Sequence, residues 1–184
     1  LTDKKVLESR NLNSMLISLL PDDKKNRFLS QKELDFGYEI ERARFRASFY
    51  QTKGSYAGAF RYIPEEIKTV EDLNLPDIIK VFSKLAQGLI IVVGPNGHGK
   101  STTLAALINL INHERAEKIV TIEDPIEYIF NHEKSIIDQR ELNTDTLSFH
   151  YALRSTFREN VNVIMVGELR DYETVSAAIS AAET

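Results

Sequence analysis

The stretch that most restricts this chain is GLIIVVGPNGHGKSTTLAALI, residues 88–108. An apolar run, Leu89 to Val93, enters a glycine-rich turn that ends in Lys100 and Ser101, and a clean helical pattern follows at once. Gly94, Gly99, Lys100 and Ser101 satisfy the spacing G-x-x-x-x-G-K-[ST]. Such a turn wraps backbone N–H groups around an anion, so glycine is needed where a Cβ would collide or φ must be positive. The helix that starts at the loop turns its positive end to the same place. The implied ligand is a nucleotide phosphate, with Lys100 reaching the β- and γ-phosphates and Ser101 ligating Mg²⁺. The candidate ATP-binding segment is therefore Gly94, Pro95, Asn96, Gly97, His98, Gly99, Lys100, Ser101 and Thr102.

After the loop, strand and helix patterns alternate. KIVTI (118–122), SIIDQ (135–139) and VNVIMV (161–166) read as strands, and LSFHYALRSTFRE and YETVSAAISAAE read as helices. Leu89 to Val93 reads as a further buried strand, and 99–112 as the helix behind the loop. That rhythm predicts a parallel α/β sheet covered on both faces. The first 63 residues differ. Leu12, Met15, Leu16, Leu19 and Leu20 form a helical stripe within 6–20, and PDDKKNRFLS opens a second helix. ELDFGYEI, ARFRASFY and YAGAFRYI then read as short strands, the first two by strict alternation, with QTKGSY as a hairpin connection. We expect a small α+β domain over 1–63 with an antiparallel meander. PEEIKTVEDLNLP, 64–76, is the expected linker, and the α/β domain occupies 77–184, beginning with a helix DIIKVFSKLAQ that ends at Gly88.

A nucleotide hydrolase also needs acids at the same sheet edge. VNVIMVGELRD supplies Glu168 directly after a strand, with Gly167 where many such enzymes carry Asp. TIEDPIEY, 121–128, packs Glu123, Asp124 and Glu127 just after another strand. Taken alone it would be a solvated acidic turn. At the carboxyl end of a strand in an α/β sheet, a carboxylate can orient or deprotonate an attacking water. Arg44, Arg46 and Arg61 lie on strands of the first domain, Arg44 and Arg46 on one face. They serve either as a polar sheet face or as a source of transition-state charge, in cis or across a subunit interface.

Bulk properties exclude several classes. With 23 basic and 27 acidic residues the formal net charge is −4, which gives no electrostatic reason to expect nucleic acid as a partner. The chain has no cysteine, so neither disulfides nor zinc–thiolate sites arise. No apolar run approaches the roughly 18 residues of a membrane span, and LTDKKVLESR lacks the apolar core of a signal peptide. The expectation is a cytoplasmic protein without direct membrane insertion. The chain begins with Leu and stops inside a helical pattern, which suggests a fragment at both ends.

Together, GPNGHGKSTTLAALI, TIEDPIEY, DQRELNTDTLSFHYALRSTFRE and VIMVGELRDYETVSAAISAAET resemble the secretion-ATPase superfamily of P-loop NTPases. Within it they are most similar to the retraction ATPases of type IV pili, the PilT type, whose N-terminal domain RFRASFYQTKGSYAGAFRYIP also resembles. The resemblance covers about residues 34–184. It implies a hexameric ring of subunits, each with a PAS-like N-terminal domain and a RecA-like ATPase domain. It also implies ATP and Mg²⁺ as cofactors, and a partner at the inner-membrane pilus base, a platform protein met at the cytoplasmic face. By resemblance Lys100 and Ser101 are the Walker A pair, and Glu168 is the Walker B glutamate, acting on Mg²⁺ through water. Glu127 fits the water-activating glutamate and Glu123 an assisting acid. Arginines of the N-terminal domain approach the phosphates in the family, which Arg44, Arg46 and Arg61 would match without the sequence choosing among them. Asn96 and His98 depart from the usual loop, and ENVNVIMVGE lacks the Asp-Pro pair normal before this strand. The sequence leaves open a pilus-extension or type II secretion ATPase, a catalytically silent nucleotide-binding module, and a nucleic-acid motor on the same core.

Overall fold

The computed structural model describes residues 7–41 and 43–183; Val6, where the first helical pattern begins, lies outside them, as does Thr184. The chain divides into two compact units, with the boundary between Ile63 and Pro64. Among the described residues no helix is long and apolar enough to cross a membrane.

The first unit comprises α1 (Ser9–Ser18), α2 (Asp22–Gln31), β1 (Glu33–Ile40), β2 (Ala43–Thr52) and β3 (Ser55–Ile63). Pro21 precedes α2, and Asp22 and Asp23 face its positive end in the first turn. Lys32, in the left-handed region at φ 65, closes that helix by donating its N–H to the Phe28 carbonyl at 2.7 Å. The strands form an antiparallel meander in the order β1-β2-β3. Alternation puts Leu34, Phe36, Ala47 and Phe49 on the face that packs against Leu16, Leu20 and Phe28. Phe49 is fully buried, edge-on to Phe36, Phe60 and Phe28 at centroid distances of 5.1, 5.6 and 6.1 Å. Burying each such ring contributes about 1.5–3 kcal/mol.

The second unit holds α3 (Ile78–Phe82), α4 (Lys100–Glu114), β4 (Lys118–Glu123), β5 (Ile136–Glu141), α5 (Phe149–Thr156), β6 (Val163–Val166) and α6 (Tyr172–Glu183). Its sheet has the order β5-β4-β6, with β4 parallel to both neighbours. The pleat of β4 serves two cores: Ile119 packs with Ala105, Ile108 and Ile111 of α4, whereas Val120 and Ile122 pack with Phe149 and Leu153 of α5 and Ala177 and Ala178 of α6. A mixed α/β unit with helices on both sheet faces results, as the alternating pattern predicts. Residues 64–76 lie within this unit: Ile67 packs against the α4 core, Val70 is buried, and Asp72 accepts hydrogen bonds from the N–H and hydroxyl of Thr69.

Two local expectations fail. Leu89 to Val93 is not a strand: its backbone enters no ladder with any described strand. Its residues instead line, together with Val163 to Val166 of β6 and with Lys100, Ser101 and Glu168, a cavity of about 690 Å³. Leu89, Ile91 and Val93 are 44%, 60% and 82% exposed. The helix expected to run to Gly88 stops at Phe82. The Arg115 guanidinium donates to the carbonyls of Ser83 and Leu85 at 2.7 and 3.3 Å, and the Ser83 hydroxyl bonds back to the Lys80 carbonyl. Past Phe82 the backbone tightens into i→i+3 bonds, Lys84 to Val81 and Leu85 to Phe82, and Arg115 satisfies carbonyls that have no helical partner.

Candidate functional site

The loop before α4 takes its shape from backbone conformation. Gly97 and Gly99 sit at φ +78 and +84, a region that side chains strain to adopt, and a Cβ at either would meet nothing within 4 Å. Glycine is thus required here for φ rather than for space. Gly99 is the left-handed N-cap of α4, whose first turn carries no acid, so the positive end of a fifteen-residue helix faces an anion-ready loop. Lys100 folds back over that loop, its Nζ donating to the carbonyls of Gly94 and Pro95 at 2.9 Å each. A phosphate is a stronger partner for the ammonium than either carbonyl. The His98 ring is exposed and bonds within the loop, Nδ1 to the Asn96 carbonyl at 3.1 Å.

The acids gather at the same edge. Ser101, Glu123, Glu127, Tyr128 and Gly167 line a cavity of about 30 Å³, which exceeds the roughly 10–15 Å³ a water molecule needs. Glu168 lines the larger neighbouring cavity together with Lys100 and Ser101, and forms an ion pair with Arg170 Nε at 2.8 Å. Gly167 explains the missing Asp: a Cβ there would stand 3.3 Å from the Ile122 carbonyl, which already accepts the Gly167 N–H at 2.8 Å. Asp124 points to solvent, and its peptide bond to Pro125 is cis.

Glu123 is the most perturbed of these groups. It is only 7% exposed, and burial pushes its carboxyl above the ordinary range. Hydrogen bonds from the Thr121 hydroxyl (2.7 Å), the Glu127 N–H (3.3 Å) and the Gln139 amide (3.3 Å) oppose that shift, while the Glu127 charge adds to it. Sequence reasoning missed Thr121, Gln139 and Tyr128. Polar residues inside otherwise apolar strands, KIVTI and SIIDQ, were the available signal for the first two.

Oxygen donors from Ser101 and Glu168 on one cavity suit Mg²⁺, which takes one or two protein oxygens and fills its remaining positions with phosphate and water.

Arg44, Arg46 and Arg61 belong to the first unit. The register sets Arg46 directly opposite Arg61, so all three share the sheet face turned away from α1 and α2. Glu39 and Asp35 share that face and pair with Arg44 and Arg46 at 3.6 and 3.9 Å.

Comparison with known proteins agrees with this architecture. A twitching motility protein of Neisseria gonorrhoeae is 42% identical over 97% of this chain and 48% of its own length. The type IV pilus retraction ATPase PilT of Pseudomonas aeruginosa is 40% identical over 97% of this chain and 52% of its own. The crystal structure of the pilus retraction motor PilT with bound ADP superimposes with a TM-score of 0.88 at 44% identity, covering 93% of this chain and 50% of that one. The chain therefore spans about half the length of the curated relatives it matches. The family model described as type II/IV secretion system protein matches residues 67–184, and the chain belongs to that family.

Proposed function

We propose that this chain supplies the nucleotide-binding part of an ATP-hydrolysing motor subunit that powers type IV pilus retraction. The observation that carries it is the water-sized cavity in which Ser101 of the phosphate loop meets Glu123 and Glu127. The PilT-type relatives support the biological role. In this proposal residues 1–63 are a PAS-like domain, 64–76 a linker, and 77–184 a RecA-like core. The working form is a homo-oligomeric, hexameric ring at the cytoplasmic face of the inner membrane, acting on a platform protein of the pilus base. The alternative, a pilus-extension or type II secretion ATPase, is favoured by the breadth of the family description.

The chemistry follows from the groups present. Backbone N–H groups of 96–99 and the end of α4 bind the ATP phosphates, and Lys100 leaves its two carbonyls for the β- and γ-phosphates. Ser101 and Glu168 would hold Mg²⁺, the latter through water; the ion supplies charge neutralisation at the phosphates. Glu127 positions and deprotonates the attacking water, with Glu123 assisting. Arg44, Arg46 or Arg61, from this subunit or a neighbour, adds positive charge to the transition state.

The test is steady-state ATP hydrolysis by the full-length gene product with Mg²⁺, as a function of protein concentration, beside Lys100→Ala. Turnover should rise faster than linearly with concentration, as for a site completed between subunits. It should fall about 10²- to 10³-fold in the variant, the usual effect of removing one transition-state donor. Tight ATP binding without turnover, or turnover indifferent to Lys100, would sink the proposal.

A further inference from the structure

Glu123 is held from two strands at once. Thr121, fully buried on β4, donates its hydroxyl to Glu123 Oε1 at 2.7 Å. Gln139 stands directly opposite Thr121 in the parallel register of β5. Its Nε2 donates to Glu123 Oε1 at 3.3 Å and to the Tyr128 carbonyl at 2.8 Å, while its Oε1 accepts the Phe130 N–H at 2.9 Å. Both amide protons and the amide oxygen are thereby used. A flipped amide would set oxygen against a carboxylate and a carbonyl, so the network itself fixes the orientation. On its other side, Glu123 Oε2 accepts the N–H of Glu127 at 3.3 Å. The Tyr128 hydroxyl shares a hydrogen bond with the Thr102 hydroxyl at 3.2 Å, in the first turn of α4. One side-chain amide thus ties the carboxylate of Glu123 to the backbone on the far side of Glu127, and that segment is tied in turn to the phosphate loop.

We propose that Gln139 and Thr121 are positioning residues for ATP hydrolysis: they fix the Glu123 carboxylate and the 127–130 backbone so that Glu127 faces the cavity beside Ser101. The inference rests on the hydrolase function proposed above. Neither side chain lines that cavity, so in this proposal neither touches the nucleotide or the attacking water. Their effect reaches the reaction only through Glu123 and Glu127. Rate should therefore suffer while nucleotide affinity does not, because the phosphate-binding groups lie on a different element.

The variants are Thr121→Val and Gln139→Met in the full-length gene product, each close to its parent in volume. Steady-state ATP hydrolysis with Mg²⁺ would be read with ADP affinity and melting temperature. We expect kcat to fall about 10- to 10²-fold, the scale of a small misplacement of a reacting group, with KM for ATP and ADP affinity unchanged. Thr121→Ser, which keeps the hydroxyl, should recover most of the rate. Gln139 lies on an edge strand and is half-buried, so its variant reports even if Thr121→Val fails to fold. Wild-type kcat in both isosteres would overturn the inference, as would kcat, ADP affinity and melting temperature falling together. Absence of Lys100-dependent turnover in the wild type would instead overturn the underlying function.

Discussion

The two units solve the burial of polar groups in opposite ways. The antiparallel unit gathers its charges on one sheet face: Arg44, Arg46, Arg61, Asp35 and Glu39 share the face opposite Phe36 and Phe49, whose cluster of buried side chains is apolar. The parallel unit, covered on both faces, carries polar groups inside, with Thr121, Glu123 and Glu141 all buried on β4 and β5. A sheet with its apolar core on one face can group its charges on the other. A sheet wrapped on both sides has its strand ends as the available edge, and its acids collect there.

The largest effect that would sharpen this contrast comes from Phe49→Ala, which removes the centre of the first core. It should destabilise the first unit by about 3–5 kcal/mol, measured by urea unfolding, while ADP binding by the second unit persists. Loss of both together would break the picture of separately cored units. Ser148→Ala probes the second unit more gently. The Ser148 hydroxyl accepts the Tyr151 N–H at 3.2 Å and caps α5, so the loss should be about 1 kcal/mol.

The smallest effect is electrostatic and concerns the interior acid directly. Because the folded carboxyl of Glu123 is raised above its unfolded value, the protonated form favours the fold. Its stabilising contribution is complete below the ordinary glutamate range and is lost as pH rises through the raised folded value. Relative to Glu123→Gln, the wild type should therefore gain melting temperature as pH falls from neutral toward that range. A difference flat with pH would mean that burial leaves the Glu123 carboxyl at its ordinary value.

How far the sequence carried depends on whether the determining contact was local. The meander over 33–63 was legible because alternation and a Lys53–Gly54 turn, at φ 48 and 80, are written in neighbouring residues. The glycine turn before α4, with Gly97 and Gly99 at positive φ, was legible for the same reason. Arg44 and Arg46 could be put on one face by period alone, but Arg61 joins them only through the register with Arg46. The carbonyls just past α3 meet Arg115, far along the chain, and Gln139 meets Glu123 only because β5 pairs with β4. Each of these is set by tertiary pairing that no local window contains.

Leu89 to Val93 carries a further consequence. With Val93 82% exposed beside the apolar wall of β6, the stretch combines β-branched side chains, no charge and unladdered backbone. That combination drives chains to self-associate through added strands. Residues 1–184 handled alone should become turbid as concentration rises, and a charged residue in place of Ile91 should keep them clear.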